Sequence, residues 1–305
     1  MKSSRAKPFL KWAGGKTQLL GEFSERTPKE LKEGKISTFI EPFVGGGAVF
    51  FHFNSIFNFE KCHIFDINEE LFLAYTIVRD EVNSLIYDLE ELSTKYQSLP
   101  DNTARQVFFY QVRDEFNQTK ADINLNQFDS TWTKRVAQLI FLNRTCFNGL
   151  FRVNARGEFN VPFGRYKNPN ILNADLLRAD SENLQNTEIH CGDFTTAGSY
   201  ISDTSFVYFD PPYRPLTQTS SFTGYSKNGF DDNEQRRLAS FFEQCNTIGA
   251  KLMLSNSDPK NHNPDDNFFD TLYSNYRIER VPAKRMINCD GTKRGEINEI
   301  IITNY

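Results

Sequence analysis

The sequence contains few of the residues that build disulfide frameworks and metal sites. It has five cysteines and four histidines in 305 residues, and neither set shows paired spacing. We therefore expect reduced thiols and no bound metal. The sequence also lacks an apolar run of the roughly 18 residues that a membrane span needs, and its N-terminus has no hydrophobic signal core. These absences predict a soluble, cytoplasmic protein without a membrane partner.

An excess of basic charge is also missing, since the formal net charge is −4. Nucleic-acid binding normally needs a basic face, so the whole-chain charge does not predict such a partner. The local charge differs, because residues 144–167 carry five basic side chains, interleaved aromatic rings and a single acid, Glu158. A second basic cluster lies within residues 280–294. A solvated loop surface is the commoner explanation of one such run, but two runs favour a nucleic-acid partner.

Glycine is absent between Gly47 and Gly149. From residue 69 to about residue 143 this segment is polar, and its apolar residues recur with helical spacing. We therefore predict an inserted helical subdomain here, in place of further strand and helix units.

A ribbon pattern and then an α/β pattern follow the helical segment. Residues 149–162 alternate like two strands around a turn, which predicts a β-hairpin. Strand and helix patterns resume after residue 169. The sequence thus predicts an α/β domain of residues 1–67 and 173–305, interrupted by residues 68–172.

A nucleoside-binding pattern lies near the N-terminus. A strand pattern at residues 36–44 runs into three consecutive glycines, Gly45 to Gly47, and a helical pattern follows. A second strand pattern ends at Asp66, about twenty residues further on, where a carboxylate can accept hydrogens from ribose hydroxyls. Consecutive glycines depart from the spaced Gly-x-Gly-x-x-Gly fingerprint of NAD sites. S-adenosylmethionine, which has no pyrophosphate, fits this pattern better.

The tetrapeptide Asp210-Pro211-Pro212-Tyr213 follows a strand pattern at residues 205–209. Its two prolines fix the backbone, so the carbonyls of Asp210 and Pro211 are held in one direction. The carboxylate and the Pro211 carbonyl can accept hydrogens from an exocyclic amine, such as adenine N6, while the Tyr213 ring stacks on the heterocycle. A strand-ending turn with a core tyrosine is the alternative, and the four residues alone do not decide between the two.

Several segments match one family together. They are Lys11-Trp12-Ala13-Gly14-Gly15-Lys16, Phe43 to Gly47, Asp210 to Tyr213, and Cys146 to Arg152 continuing through Phe159 to Lys167. In this combination, and over nearly its whole length, the chain resembles the DNA adenine-N6 methyltransferases of the Dam family, in the α order of motifs. The resemblance implies an α/β fold, a Rossmann-like S-adenosylmethionine-dependent methyltransferase sheet with an inserted helical target-recognition subdomain and β-hairpin. Residues 1–67 and 173–305 would be the catalytic domain, and residues 68–172 the DNA target-recognition domain.

The resemblance also implies a set of cofactor-binding residues. Lys16 would lie near the carboxylate of S-adenosylmethionine, the glycine loop would wrap its methionine portion, and Asp66 would hold the ribose. Asp193 would accept hydrogens from the adenine amine and Phe194 would flank that ring, although a plain turn is the alternative for Asp193. The full predicted set is Trp12, Lys16, Glu41, Pro42, Phe43, Gly45, Gly47, Asp66, Asp193, Phe194 and Asp210.

The resemblance further implies the course of the reaction. The target adenine leaves the duplex and stacks on Tyr213, because its amine cannot be reached within the base stack. Hydrogen bonds from the amine to Asp210 and to the Pro211 carbonyl aim the nitrogen lone pair at the sulfonium methyl for direct transfer. The predicted catalytic residues are therefore Asp210, Pro211, Pro212 and Tyr213.

The target-recognition hairpin resembles that of members that read GATC. Arg152 is the best candidate for bidentate reading of a guanine edge in the major groove. Phe147 is a candidate wedge; relatives often carry tyrosine there, so a hydrogen bond from that hydroxyl is lost while an apolar wedge remains. The predicted DNA-binding residues are Lys11, Phe147, Asn148, Leu150, Arg152, Pro162 and Tyr166.

Other classes fit the sequence less well. Cytosine-N4 methyltransferases usually begin the tetrapeptide with serine, and enzymes that methylate protein glutamine amides begin it with asparagine and do not need a basic hairpin. A DNA-binding regulator that had lost catalysis would show a damaged motif. An NAD oxidoreductase is disfavoured by the glycine spacing and by the lack of a candidate His or Lys for hydride transfer.

The implied partner is double-stranded DNA, acted on by a monomer one strand at a time. The enzyme would either accompany a restriction endonuclease that acts on the same site, without a stable complex, or act alone. Residues 220–225 are rich in small side chains and predict a mobile loop that closes on the flipped base.

Overall fold

The structure is a computed structural model that describes residues 5–125, 127–214, 230–284 and 296–305. The chain divides into two compact units. The first comprises Met1–Gly15, Gly45–Ser55 and Asn68–Cys191, and the second comprises Lys16–Val44, Ile56–Ile67 and Gly192–Tyr305. The predicted mobile loop at residues 220–225 lies outside the described residues.

The secondary structure alternates strands and helices at both ends of the chain and is helical in its middle. In the described part of the chain the helices are α1 (Leu20–Glu25), α2 (Lys29–Lys32), α3 (Ala48–Ile56), α4 (Glu69–Asp80), α5 (Val82–Ser98), α6 (Asn102–Gln118), α7 (Ser130–Thr145), α8 (Ala174–Asn183), α9 (Asp232–Ile248) and α10 (Phe268–Leu272). The strands are β1 (Thr38–Glu41), β2 (Lys61–Asp66), β3 (Thr187–Cys191), β4 (Ser205–Phe209), β5 (Lys251–Ser257), β6 (Arg277–Lys284) and β7 (Glu296–Thr303).

The strands follow the order β3-β2-β1-β4-β5-β7-β6 in one sheet. In the second unit β1 pairs in parallel with both β2 and β4, and β4 pairs in parallel with β5. Strand β7 runs antiparallel to β5 and β6. Every residue of β4 is buried, as expected for a parallel strand with both faces covered. This mixed seven-stranded sheet with helices confirms the predicted Rossmann-like α/β fold class.

The strand before the glycines is shorter than predicted. The pattern at residues 36–44 predicts a longer element, but β1 ends at Glu41. Pro42 follows directly and has no N–H to donate to a neighbouring strand, which explains the early end. The chain nevertheless stays beside β2, since the Val44 N–H donates to the Phe65 carbonyl at 2.9 Å.

The helical middle of the chain belongs to the first unit and is confirmed as helical. Helix α4 begins as predicted at an Asn68 cap, whose side chain accepts from the Glu70 N–H at 3.0 Å. Helix α7 is buried on nearly all sides, which is typical of the central helix of a bundle. Its Arg135 is buried and forms a bidentate pair with Glu70 of α4.

The predicted β-hairpin is present as an irregular ribbon. Antiparallel bridges join Cys146 to Phe163 and Val153 to Phe159, without a continuous ladder. Helix α6 holds the ribbon, because both the amide and the carbonyl of Phe159 hydrogen-bond to the Asn117 side chain. The ribbon is therefore anchored by side chains more than by strand pairing.

Across the chain that the structure describes, none of the helices has the length and apolarity to cross a membrane.

Candidate active site

The tetrapeptide at residues 210–213 lies directly after β4 in the second unit. Both neighbours of this strand, β1 and β5, are parallel to it, so their carboxyl ends meet at the same edge of the sheet. Ligands of open α/β sheets bind outside this edge. The fold therefore places Asp210 at the edge of the sheet where ligands of such folds bind.

Asp210 has two partners in the second unit. The Lys16 Nζ lies 2.7 Å from its Oδ1, and the Ser255 hydroxyl donates to the same atom at 3.4 Å. Lys16 is only 4 % exposed and Asp210 is 18 % exposed. Burial raises the pKa of Asp210, while the Lys16 ammonium and the two hydrogen bonds oppose this rise. The carboxylate is thus poised as a hydrogen-bond acceptor in a poorly solvated place.

Tyr213 has an ammonium group at the face of its ring. The Lys16 Nζ lies 4.6 Å from the centroid of the ring, within cation–π range. Burial, and then the nearby charges of Asp210 and Glu299, raise the pKa of Tyr213 far above its usual range. The ring therefore stays neutral and suits stacking.

The backbone of the tetrapeptide is fixed by contacts from α9. The Gln235 side chain is fully buried and its amide donates to the Pro212 carbonyl at 3.1 Å. The next residue, Arg214, forms ion pairs with Asp232 at 2.6 Å and with Asp266 at 2.7 Å. Pro211 and Pro212 also fix their own backbone angles, so the motif has little freedom to move.

Candidate cofactor residues of the second unit follow the carboxyl ends of β1 and β2. Glu41 ends β1 and is 2 % exposed, and Pro42 and Phe43 come next. Asp66 ends β2, and its carbonyl accepts from the Gly192 N–H at 3.0 Å. Carboxylates at these strand ends are suited to the ammonium and hydroxyl groups of a nucleoside-bearing amino acid.

Asp193 and Phe194 adjoin this edge and are linked to α9. The Asp193 carboxylate caps the short helix after β3 through the Thr195 N–H at 3.0 Å, and it binds Arg237 in a bidentate pair at 2.7 and 2.8 Å. Arg237, and to a lesser degree the contacts to Thr195, lower the pKa of Asp193 to about 2 despite its partial burial. The Phe194 ring is buried, with the Phe43 centroid at 5.3 Å. An aromatic wall beside a strand-end acid fits the adenine of the predicted cofactor.

The glycine loop and Trp12 belong to the first unit. Gly47 has a φ of +76°, and an added Cβ would lie 2.5 Å from the Tyr75 hydroxyl, so a side chain does not fit there. The Tyr75 hydroxyl donates to the Gly45 carbonyl at 2.9 Å. The Trp12 side chain lies against Gly45 and stacks on Phe151 at 5.0 Å. The loop is thus tightly curved and bare, as close approach to a ligand requires.

Lys11 is joined to the recognition ribbon of the first unit. Its N–H donates to the Asn143 side chain at 2.9 Å, and the Asn143 amide donates back to the Lys11 carbonyl at 2.9 Å and to the Gly149 carbonyl at 3.1 Å. The Lys11 Nζ lies 5.7 Å from the Tyr166 ring centroid. Two predicted DNA contacts, Lys11 and Tyr166, are therefore neighbours.

The remaining predicted DNA contacts lie on the ribbon and most are exposed. Phe147 is 53 % exposed, and its N–H donates to the Pro162 carbonyl at 2.8 Å. Asn148 next to it has a φ of +59°. Arg152 is exposed and its Nε donates to the Asn160 side chain at 2.8 Å. Leu150 is half-buried.

The second basic cluster is partly used within the protein. Arg280 forms ion pairs with Asp258 at 2.9 Å and with Asp270 at 2.8 Å. Residues 285–295 lie outside the described residues. Of the two basic runs, the ribbon is the one whose described side chains face solvent.

Two further residues contact the tetrapeptide and are not predicted from the sequence. Gln235 of α9 donates to the Pro212 carbonyl, and Ser255 of β5 donates to the Asp210 carboxylate. Local patterns carry no signal for contacts between separate helices and strands.

Fold and site together define a Rossmann-like α/β transferase with an acceptor motif for an amino group at the end of its central strand. Comparison with known proteins identifies the family: residues 12–287 match the model for D12 class N6 adenine-specific DNA methyltransferases. The chain belongs to this family. It is an adenine-specific DNA methyltransferase, and the family chemistry requires a methyl donor of the S-adenosylmethionine type and a DNA substrate.

Full-length relatives agree with this assignment. The chain is 53 % identical to the type II methyltransferase M.MjaIII of Methanocaldococcus jannaschii, over 98 % of this chain and 99 % of the relative. It is 38 % identical to the type II methyltransferase M1.LlaDCHI of Lactococcus lactis subsp. cremoris, over 98 % and 95 %. It is 33 % identical to the DNA adenine methylase of Escherichia coli K12, over 99 % and 95 %.

Proposed function

We propose that this enzyme moves the methyl group of S-adenosylmethionine to N6 of an adenine that has flipped out of double-stranded DNA, within the sequence GATC. The observation that carries the proposal is the constellation at the end of β4. There a half-buried carboxylate, Asp210, is kept available by Lys16, and Tyr213 provides a neutral ring in the same motif. A rigid acceptor next to a stacking surface suits an amino-bearing planar base.

The residues at the strand ends fit S-adenosylmethionine. When bound, this cofactor supplies an electrophilic methyl group on a sulfonium. Asp66 would hold its ribose, the aromatic wall of Phe43 and Phe194 would flank its adenine, and Asp193 would accept from the adenine amine. Lys16 is proposed to lie near the cofactor carboxylate, and its ion pair with Asp210 would then link the cofactor and catalytic groups. The other proposed contacts are Trp12, Glu41, Pro42, Gly45 and Gly47.

The chain's own residues would prepare the target amine. Asp210 and the Pro211 carbonyl accept its two hydrogens, which draws the nitrogen lone pair out of conjugation with the ring. Pro212, fixed by Gln235, keeps that carbonyl in place. Tyr213 holds the base by stacking and limits its rotation, so the nitrogen faces the methyl group. The chain then needs no covalent intermediate.

Recognition of DNA is assigned to residues 68–172. Arg152 would read a guanine edge and Phe147 would insert into the base stack. Tyr166 of the same segment and Lys11, which lies before it in the chain, would make further contacts to the site. Shorter contacts are proposed for Asn148, Leu150 and Pro162. The exposure of Phe147 and Arg152 on a ribbon rich in basic residues supports this assignment.

The names of the relatives favour a restriction-modification role. Two of the compared relatives are named type II methyltransferases, and a DNA adenine methylase shares less identity. We propose that the enzyme protects sites that a cognate endonuclease cuts, without a stable complex between them. A solitary methylase is the second possibility. The enzyme is proposed to act as a monomer in the cytoplasm, at the nucleoid, where these DNA sites lie.

The test is transfer of tritiated methyl from S-adenosylmethionine to paired duplexes that differ only in GATC versus GTAC, followed by digestion to locate the label. We expect label on N6 of adenine in the GATC duplex alone. Label on both duplexes would overturn the site specificity and keep the chemistry. Cofactor binding without transfer to any DNA would overturn the proposed substrate.

A further inference from the structure

Asn143 is a buried residue near the end of α7 whose side-chain amide hydrogen-bonds to two segments outside its own helix. Its Oδ1 accepts from the Lys11 N–H at 2.9 Å, and its Nδ2 donates to the Lys11 carbonyl at 2.9 Å and to the Gly149 carbonyl at 3.1 Å. The residue is only 1 % exposed. One side chain thus binds both backbone groups of Lys11 and joins them to the turn at Gly149.

These bonds take the place of strand pairing for Lys11, which lies in neither a helix nor a strand. Backbone N–H and C=O groups that are removed from water need partners, and the amide of Asn143 offers an acceptor and donors side by side. The next residue, Arg144, donates to the Phe9 carbonyl at 2.6 Å. The end of α7 therefore holds the backbone of residues 9–11 at two points.

The Lys11 side chain runs across Gly149. This glycine has a φ of +65°, and an added Cβ would collide with the Lys11 Cδ and lie 3.2 Å from its Nζ. The Nζ lies 5.7 Å from the centroid of the Tyr166 ring. Lys11 as a whole remains exposed. The bare turn thus gives the side chain a defined path to the recognition ribbon, where its ammonium group is accessible.

A lysine that is held in this way can discriminate between bases. Its ammonium has three donors and no acceptor, so in the major groove it favours guanine, which offers N7 and O6 as acceptors, over adenine, which offers a donor beside N7. A lysine without such restraint would follow the phosphates, which carry no sequence information. Discrimination therefore depends on where the ammonium is held.

We propose that Asn143 is a positioning residue for DNA sequence recognition, which sets the place at which the Lys11 ammonium meets a base edge. The inference rests on the proposed function, because it takes Lys11 as a contact to a guanine of GATC. Asn143 is itself buried and acts through the backbone of Lys11. Its bond to Gly149 holds that backbone in register with the turn that the lysine crosses.

The experiment is a double-mutant cycle of Asn143→Ala and Lys11→Ala in the full-length enzyme. The quantity kcat/KM is measured on a GATC duplex and on the two duplexes in which one G·C pair of the site is replaced by A·T. We expect Asn143→Ala to lower the preference for GATC over one of these duplexes about tenfold, within the range of one lost base contact. Lys11→Ala should cause a similar loss.

Coupling to Lys11 separates positioning from a merely structural role. Lys11→Ala keeps the backbone groups that Asn143 binds, so Asn143→Ala should lower the Tm by the same amount in both backgrounds. It should reduce the preference for GATC only where the lysine is present. An equally large loss of preference in the Lys11→Ala background, or an unchanged preference in Asn143→Ala, would overturn the proposal.

Gly149→Ala tests the same inference without removing a buried hydrogen bond, and it decides the question if Asn143→Ala does not fold. The new methyl group collides with the Lys11 side chain, which is flexible and can move aside, although the positive φ costs some stability. We expect a folded enzyme with the same loss of preference for GATC, and no further loss when Lys11→Ala is added. Full preference for GATC in this variant would contradict the proposal.

Asn54 of α3 is the matched control in the same unit. Its amide donates to the Asn183 carbonyl at 2.7 Å, so Asn54→Ala also removes a hydrogen bond between distant segments. We expect a lower Tm with an unchanged preference for GATC. A wild-type enzyme that does not prefer GATC would refute the proposed specificity and this inference with it, whereas a preference that falls in Lys11→Ala but not in Asn143→Ala would refute only the role of Asn143.

Discussion

At the residue scale, the site depends on keeping the half-buried carboxylate of Asp210 able to accept hydrogen bonds. Burial alone would favour the protonated form of Asp210, which presents one acceptor oxygen fewer. Lys16 counters this with an ammonium 2.7 Å away that is itself almost fully buried. Each charge therefore offsets the free-energy cost of burying the other, so a substitution of either residue also affects its partner.

Asp210→Asn separates the chemical role of this residue from its structural one. Asp210→Ala would also remove a charged partner of the buried Lys16, at a stability cost of about 3–5 kcal/mol. The amide keeps an oxygen toward Lys16 but loses the charge that polarises the target amine. We expect a fall in kcat of about a hundredfold or more, from the loss of a preorganised polar group.

The measurement is single-turnover methyl transfer beside thermal unfolding of both variants. Asp210→Asn should unfold at a higher temperature than Asp210→Ala while both remain nearly inactive. An Asp210→Asn enzyme with more than about a tenth of the wild-type rate would contradict the proposed role of the carboxylate.

Asp180 of α8 predicts a pH dependence of stability. Its side chain is fully buried, and burial raises its pKa to about 8 although the Lys7 N–H donates to it at 2.9 Å. Because the folded pKa exceeds the unfolded one, the folded state binds the extra proton between about pH 4 and pH 8. The stability that protonated Asp180 contributes is fully present below the unfolded pKa, and it is lost as pH rises through the folded pKa.

Asp180→Asn should remove this dependence. We expect the variant to be more stable than wild type at pH 8 and to show a flatter curve of unfolding free energy against pH, measured by urea denaturation from pH 5 to pH 8.5. Asp175→Asn, on the same helix but 89 % exposed, is the control and should follow wild type. Parallel curves for all three proteins would show that Asp180 titrates normally.

The sequence predicts residues that lie within local motifs and carries no signal for contacts between distant segments. Asp210 and Tyr213 are predicted as site residues because their tetrapeptide occurs together with the other motifs of the family. The pairing of Lys16 with Asp210 was not foreseen, since nothing within either segment encodes a partner nearly two hundred residues away. Gln235 lies in a helix whose pattern predicts only an amphipathic face. That pattern does not predict the hydrogen bond from Gln235 to the Pro212 carbonyl.

At the element scale, periodic segments were predicted well and irregular ones less so. The helix after Asn68 and the strand before Asp210 agree with the structure, because a cap and an apolar run are local signals. The ribbon after Gly149 was predicted as alternating strands, yet it has only isolated bridges. Its shape is set by Asn117 of α6, a tertiary contact that alternation does not report.

The glycine loop offers a test at this scale. In Gly47→Ala the new methyl group would collide with the Tyr75 hydroxyl and strain a positive φ, so the bond from Tyr75 to the Gly45 carbonyl should break. We expect a stability loss of about 1–3 kcal/mol and weaker binding of S-adenosylmethionine. Urea unfolding and calorimetric titration with the cofactor measure the two effects.

Gly21→Ala is the matched control for this substitution. Gly21 lies in α1, and an added Cβ there meets nothing within 4 Å. We expect it to gain about 0.5–1 kcal/mol of stability, as alanine does in place of glycine within a helix, without any change in cofactor binding. If Gly47→Ala and Gly21→Ala changed the unfolding free energy and the cofactor affinity equally, the collision at Gly47 would not explain the loss.

At the scale of the whole molecule, an acidic protein must still hold a polyanion. The net charge of −4 repels DNA at long range, so affinity has to come from a local basic surface. The ribbon carries such a surface in the described residues, and part of the C-terminal basic cluster is paired internally through Arg280. Binding should therefore weaken as the salt concentration rises, and the slope of log affinity against log salt should report how many phosphates this surface contacts.

Two arginines of the ribbon separate sequence reading from phosphate attraction. Arg152 is proposed to read the guanine of GATC. Arg152→Ala should therefore lower the difference in binding free energy between GATC and a duplex in which that guanine is replaced, by about 1–3 kcal/mol. Arg156 is 80 % exposed and paired with Glu158 at 3.0 Å, so Arg156→Ala should weaken binding to all sequences alike, and only slightly. Competition binding with both duplexes at several salt concentrations distinguishes the two. An equal loss on both duplexes from Arg152→Ala would assign this arginine to the phosphates, and recognition of GATC would then depend on the other exposed residues of the ribbon.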